Sequence, residues 1–483
     1  MKLQSHPVTT TSEPPALAAP DDPNAPADDS APAPAAPVRI FARPYRSLSI
    51  GSIALAALVA YEALAVSTAM PSVARSLDGV ALYALAFGGT MAASVVGMAI
   101  GGVWNDRRGP VRPMWIGLAL FLVGLLIAGA ATNMWSLIGG RVVQGLGGGV
   151  FNVSLYVLVG RAFPEAMRPK MFAAFAAAWV VPSIVGPAIT GVIVEHASWR
   201  LVFLGMPLLA IPASLLIRQG LRGTDTDVPG EVSRRDAARR IGWALAAGTG
   251  AALLQYGGQL RGVLAVVTLV AALGVIAAAV PRLLPRGTVR FGRGLPTVVA
   301  MRGVAASAFA AADVFVPLML SKERGLSPSL AGLTLTVGAV FWSTGSWLQA
   351  RPNLRLGRPA LMRLGMISLT VGIAIVALAL VPAVPVVVAM AGWSFAGLGM
   401  GLVYPLFSVL TLEMSPTSEQ GANSAALQLA DAVGTASLLA VTGSVFAALL
   451  SHGTIAFVPI YAVAAGLALI GALGAHRIVP KAA

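Results

Sequence analysis

Apolar stretches of about 20 residues recur along almost the whole chain, and that is the length an α-helix needs to cross a bilayer core of about 30 Å. They fall at 48–71, 81–104, 113–132, 134–160, 170–194, 199–218, 241–258, 262–282, 296–320, 329–350, 359–382, 384–411, 420–450 and 455–476, separated by short breaks rich in Arg or in Gly and Pro. Within hydrocarbon every backbone N–H and C=O must find its partner inside the segment or in a closed barrel. Barrel strands would show alternating segments of about ten residues, and the runs of Ala, Leu, Val and Gly here do not alternate. The chain is 57% hydrophobic and 11% charged, against about 25% charged residues in a soluble domain. The expected fold class is therefore an all-α polytopic membrane protein with fourteen transmembrane helices. The 241–258 span is the least typical, because Gln255, Tyr256 and Gln259 crowd its end.

The net charge of +14 is carried by Arg and Lys placed between the spans. Segments 107–112, 161–170, 218–240, 282–293 and 351–363 hold most of them on one side, and the other side keeps Arg75, Arg200, Arg261, Lys322 and Arg324. This asymmetry fits the positive-inside rule, with both termini cytoplasmic and the protein multi-pass in a cell inner membrane. It also removes nucleic acid as the reason for the charge. There is no Cys and the four His are scattered, so no disulfide framework, thiolate centre or metal site is expected. No phosphate-binding Gly-x-x-x-x-Gly-Lys-Ser/Thr occurs, so the chain is expected to use neither ATP nor a cofactor and not to be an enzyme. Residues 1–47 read as a disordered cytoplasmic tail, since 1–38 are rich in Ala, Pro, Asp, Ser and Thr and contain no apolar signal core. Residues 477–483 form a second cytoplasmic tail.

The second half echoes the first. Gly145-Leu-Gly147-Gly-Gly149 returns as Gly397-Leu-Gly399-Met-Gly401 at an offset of 252 residues; Pro164 and Gly191 meet Pro416 and Gly443 at the same offset. Glu62 meets Asp313 one residue short of it. A duplicated unit follows: a six-helix bundle at 48–218, a linker at 219–295 with two additional helices, and a second six-helix bundle at 296–476. Parallel repeats about an axis normal to the membrane are a plan of secondary transporters, with the site between the halves near midplane.

Particular motifs sharpen this. Gly101-Gly-Val-Trp-Asn-Asp106-Arg107-Arg108-Gly109-Pro-Val-Arg112 resembles the loop signature of the major facilitator superfamily. Its Asp can meet the positive N-terminus of a neighbouring helix, while its Arg residues can pair with acids or helix C-terminal carbonyls, giving a latch. A degenerate copy runs from Gly345 to Arg358 with Arg351, Arg355 and Gly357. Arg141-Val-Val-Gln144-Gly145-Leu-Gly147 resembles a drug:proton antiporter motif. Pro182-Ser-Ile-Val-Gly186-Pro187-Ala-Ile-Thr190-Gly191 is similar to the antiporter motif of the fifth helix, with Pro182 and Thr190 in place of two glycines. Small residues there would allow close helix approach, and Pro187 would bend the helix. Glu62, nine residues before Pro71, takes the acidic position of the family's first helix, with Leu64 where a Thr is usual; Trp199-Arg200 with Phe203 matches a further family pattern. The resemblance is to the fourteen-helix drug:proton antiporters of that superfamily. It implies two six-helix bundles plus two extra helices, a monomer in membrane lipid, a small-molecule substrate and proton coupling by alternating access.

Charge at the bilayer centre costs about 2.5–3.5 kcal/mol even on lenient scales, so the few ionisable groups within spans carry the mechanism. Glu62, Asp313 and Asp431 lie at middle depths, Glu62 about 21 Å into its span at 1.5 Å per residue. Arg141 enters the fourth span from the outer side and Arg302 lies nearer the inner end of its own. Glu62 is expected to carry the proton, Arg141 to modulate it and Asp313 to serve as a second acid, with Asp431 as a further candidate. A cationic substrate would compete for the same negative charge. Asn152, Tyr156, Trp179, Trp342, Trp393, Tyr404 and Gln428 are candidate cavity contacts. Multidrug efflux is the leading expectation. Export of one endogenous lipid, siderophore or secondary metabolite would use the same motifs, whereas a static receptor or scaffold would have no need of charge buried at its pivot.

Overall fold

The computed structural model describes residues 39–79, 82–222, 233–258, 260, 262–326, 328–351 and 356–479. The tail to residue 38, Gln259, Arg261 and Arg355 lie outside the described residues. All regular structure among the described residues is helical. The helices are α1 (Arg46–Ser76), α2 (Tyr83–Arg108), α3 (Val111–Gly129), α4 (Met134–Ala162), α5 (Arg168–Ala177), α6 (Val180–His196), α7 (Arg200–Gly220), α8 (Arg234–Gly257), α9 (Gly262–Leu283), α10 (Leu295–Arg324), α11 (Pro328–Gln349), α12 (Arg358–Leu378), α13 (Val387–Glu413), α14 (Gln420–Leu449) and α15 (Val458–Gly474). These coincide with the fourteen expected spans once α5 and α6 are taken as the two parts of the fifth. Eleven of the described helices are long and apolar enough by themselves to cross a membrane. Helix α8 begins two turns before its expected span, with charged Arg234, Arg235, Asp236, Arg239 and Arg240 outside the apolar stretch.

The ends of the helices follow local chemistry. Asn133 caps α4 by accepting from the Ser136 amide at 2.9 Å, with Ser136 Oγ returning to the Asn133 amide in a capping box. Gly109 stops α2 at φ 73°, a conformation other residues resist. The Trp-Arg-x-x-Phe pattern serves the end of α3: Arg200 stacks over Trp199 and donates to the Ala131 carbonyl at 2.9 Å, where the last carbonyls lack helical partners. Arg324 does the same beyond α12, reaching the carbonyls of Ala379, Val381 and Val384.

The fifth span breaks at Ala178 and Trp179, nine and eight residues before Pro187. Pro182 has no N–H to give the Ala178 carbonyl four residues back, so the ladder opens there, while α6 continues as helix through Pro187. The bend therefore belongs to Pro182, one of the two residues that depart from the motif.

The glycine motifs are packing devices used twice. Gly145 and Gly149 press on the α2 backbone at Thr90 and Ser94, and Gly147 presses on α3 at Gly117 and Phe121. In the second half Gly397 and Gly401 press on α11 at Gly338 and Trp342, and Gly399 on α12 at Gly365 and Leu369. One helix thus fits between two others in each half with backbones in near contact, the arrangement small residues permit in membranes. The core of the second half gathers around Met366, Trp393, Met400, Phe407 and Tyr461, all at most 1% exposed. The extra helices α8 and α9 bury a separate core against α2 and α14.

Steric fit predicts a clear contrast. A Cβ at Gly147 would stand 2.6 Å from the Gly117 carbonyl oxygen, whereas at Gly466 nothing lies within 4 Å. Gly147→Val should lower stability by about 1–3 kcal/mol, read as a fall in melting temperature in detergent. Gly466→Ala should leave it unchanged or raise it by up to about 1 kcal/mol.

Candidate functional site

Three polar assemblies lie in an otherwise apolar interior. The first joins α1 to α4. Arg141 Nη1 donates to Glu62 Oε1 at 2.9 Å and to Gln144 Oε1 at 2.7 Å, and Gln144 Nε2 donates to the same Glu62 oxygen at 2.6 Å. The Arg141 and Glu62 side chains are 7% and 8% exposed. Arg141 and Gln144 stand three residues apart, on one face of α4, which is why the Arg-x-x-Gln spacing can hold one carboxylate from both sides. The shared oxygen has two donors, one of them charged, so a proton on Glu62 would convert an ion pair into a dipolar contact.

The second assembly lies among α4, α10, α13 and α14. Arg302 Nε donates to Asp431 Oδ2 at 2.9 Å, and Tyr404 donates its hydroxyl to the same oxygen at 2.7 Å. Arg302 Nη1 reaches the Tyr404 carbonyl at 3.2 Å, and its guanidinium lies 3.3 Å from the centre of the Tyr404 ring. Tyr156, from the first half, interacts with Arg302. Its ring packs at 5.2 and 5.9 Å against Phe172 and Phe175 of α5. Arg302 is 2% exposed, so the pairing with Asp431 meets the need of a buried guanidinium for an opposite charge.

The third assembly is the latch at the Arg-rich end. Asp106 accepts from the amides of Gly421 at 2.6 Å and Ala422 at 2.8 Å, the first turn of α14. A carboxylate there meets unpaired N–H groups and the positive end of the helix dipole together. Gly102 allows the approach, since a Cβ on it would stand 2.8 Å from Ala425 Cβ. Arg161 closes the contact from α4, donating to the Thr417 carbonyl at 3.0 Å and towards the Asn105 carbonyl at 3.5 Å. Arg107 and Arg112 are exposed, so the cation of the latch is Arg161 and not the motif arginines. The repeated motif has a different fate: Arg351 stacks over Trp347 at 3.6 Å, and Arg358 pairs with Glu413, Nη2 to Oε1 at 2.6 Å.

Other expected residues are dispersed. Asp313 lies half-buried on α10 with no hydrogen-bond or ion-pair partner among the described residues. Trp342 contacts Phe309 and Tyr404 edge-on at 5.0 and 5.3 Å, with its indole N–H buried and unpaired. Gln428, one turn before Asp431, is 5% exposed and neither end of its amide has a partner. Asn152 is half-buried one turn before Tyr156. Trp393 is fully buried in the second-half core, stacked 4.8 Å from Phe309, and so packs the bundle instead of facing an open cavity. Trp179 is 47% exposed at the break in the fifth span. Gly101 packs on Val150, while Gly186 is an ordinary 3.5 Å from the Tyr61 ring and Gly191 has nothing within 4 Å. The close helix approach expected of the antiporter glycines is absent at both. The Pro187 side chain lies outside the described residues.

Two halves of repeated packing, with charge held in the interior and a latch between helices α2 and α14, are the build of a secondary transporter. The sequence pattern of the Major Facilitator Superfamily matches residues 52–437, and the chain belongs to that family: it is a multi-pass membrane transporter of a small molecule, not an enzyme. It is 27% identical over 372 residues to the multidrug efflux pump SdrM of Staphylococcus aureus, covering 75% of this chain and 81% of SdrM. It is also 27% identical over 377 residues to the probable multidrug-efflux transporter Rv1634 of Mycobacterium tuberculosis, covering 74% and 79%. Among solved structures, the human organic anion transporter MFSD10 (TETRAN) superposes with a TM-score of 0.68 at 13% identity over 90% of this chain and 100% of that one. The proton:xylose symporter XylE gives 0.64 at 16% identity over 90% and 95%. At those identities the structural likeness speaks for the fold.

The buried pair predicts its own mutational pattern. Arg302→Met strands the Asp431 charge and should cost about 3–5 kcal/mol, whereas Arg302→Met with Asp431→Leu should recover most of that loss. Thermal unfolding of the two variants in detergent checks this; equal losses would show that the pair is not what holds the two helices.

Proposed function

We propose that this transporter exports hydrophobic or cationic small molecules in exchange for protons, by alternating access between its two halves. The observation that carries the reading is the Glu62 carboxylate, held inside the first span by Arg141 and Gln144. Loss of its charge on protonation weakens the hold of Arg141, and return of the charge offers a cationic substrate an attractive site. Substrate and proton then compete for one group, which is what exchange requires. Asp313 is the second acid, on the opposite half and with no ion-pair partner among the described residues. Asp431, like Glu62, already has two donors on one oxygen, Arg302 and Tyr404, and a proton there would loosen Arg302.

Asn152, Tyr156, Trp342, Tyr404 and Gln428 line the substrate's route between the halves, with the unpaired amide of Gln428 and indole N–H of Trp342 as its polar contacts. Trp179 marks the hinge of the fifth span. In this reading the Arg-rich end and both termini are cytoplasmic, the membrane is a cell inner membrane, and the monomer is the working unit. The halves are 48–218 and 296–476, with 219–295 as the linker. The Asp106 latch then closes the cytoplasmic end. The naming of SdrM and Rv1634 as multidrug efflux proteins supports the substrate class.

Coupling free energies of 1–3 kcal/mol correspond to about 5–150-fold. Proton-driven ethidium export in everted vesicles should fall by that factor in Glu62→Gln, and by less in Asp313→Asn. Undiminished proton-driven export by Glu62→Gln would remove Glu62 from the mechanism.

A further inference from the structure

Helices α8 and α9 stand outside the duplicated plan, and they are held to the two halves in two different ways. Between themselves they form a close pair: a Cβ at Gly250 would stand 2.7 Å from Ile276, and one at Gly257 would stand 3.3 Å from Leu269 Cγ. Against α2 the fit is equally tight. A Cβ at Gly248 would stand 2.7 Å from the Ala92 carbonyl oxygen and one at Gly88 would stand 3.0 Å from Gln255 Cβ, while Gln255 Nε2 lies 3.8 Å from Met91 Sδ. The polar end of α8 is thus seated on α2.

Against α14 the contact is apolar. Leu429 and Val433 complete a core made of Val95 from α2, Ala247 and Leu254 from α8, and Ala272, Ile276 and Ala279 from α9. Among the described residues no hydrogen bond or ion pair joins α14 to α8 or α9. A narrow crevice runs along this seam towards the latch, lined by Val103, Arg240, Leu283, Ala422, Ala425 and Leu429. A glycine seated on a backbone carbonyl, as Gly248 is on Ala92, resists sliding because any shift drives atoms into one another, whereas an apolar contact without directed bonds tolerates it.

We infer that the α8–α9 pair is a moving part of the gate: it travels with α2 and the first half, and α14 slides along it through Leu429 and Val433 when the Asp106 latch opens. The inference rests on the opening at that end proposed above, and it gives the two helices outside the repeat a mechanical task.

The chain has no Cys, so introduced cysteines can carry nitroxide labels singly addressed. Pulsed electron resonance in lipid nanodiscs would read three pairs: Arg108→Cys with Glu419→Cys across the gate, Arg239→Cys with Arg108→Cys between α8 and α2, and Arg239→Cys with Glu419→Cys between α8 and the start of α14. Each is measured with the latch intact and with it weakened by Asp106→Asn, and independently by Arg161→Ala should the first variant fold poorly. The expected result is that the 108–419 and 239–419 distances lengthen by the same amount while 239–108 stays fixed. A fixed 239–419 distance with a lengthened 239–108 distance would assign the pair to the second half and overturn the inference. Lengthening of both α8 distances would make it an independent body and overturn it as well. An unchanged 108–419 distance in both variants would refute opening at this end, and the inference would fall with that reading.

Discussion

A charge carried into hydrocarbon must meet its opposite there, and most of what is distinctive in this protein follows from how few such meetings it allows. Among the described residues each half buries one guanidinium. Arg141 is matched to Glu62 and Arg302 to Asp431, each at 2.9 Å. Around these pairs the helices are packed with Ala, Gly and Leu, so the polar contacts decide which helices must stay together and which can part. Glu62 belongs entirely to the first half, while the Arg302 network reaches across to Tyr156.

The repeat in the chain is faithful in its packing and unfaithful in its chemistry. The glycines of α4 and α13 press on equivalent neighbours in the two halves. The side chains between them have diverged: at the offset of 252 residues Trp393 stands where the first half has Arg141, and Ala396 where it has Gln144. The second half puts a buried indole where the first half has its guanidinium. Its guanidinium enters from another helix, α10, and finds its acid on α14. Backbone fit tolerates few substitutions, because a methyl group in a glycine seat collides with a carbonyl; the interior charges are free to move between helices provided that each is answered.

How much of this could be read from the chain depends on the range of the force involved. Span lengths were legible because hydrocarbon thickness sets them, and all fourteen expected spans have a helical counterpart. The carboxylate–helix meeting at Asp106 was legible in kind, since an acid ending one helix seeks the N-terminus of another, yet the cation that completes it, Arg161, looked like an ordinary loop charge. Glu62 and Arg141 could be paired because few other charges lie at their depth. Asp431 could not, because its partner lies 129 residues away and no motif marks either residue. The break in the fifth span was expected at Pro187 and lies at Ala178 and Trp179, since two prolines in one helix look alike until the position of the lost donor is known.

The latch has a further property that comes from what Asp106 grasps. Its two partners are main-chain amides, so α14 must keep a bare glycine at 421, where a Cβ would stand 2.7 Å from Asp106 Oδ1, while the grip asks for no particular functional group on that helix. Mutational drift at other positions of that helix leaves the two amides in place, so its remaining side chains are free to change while the hold on Asp106 persists.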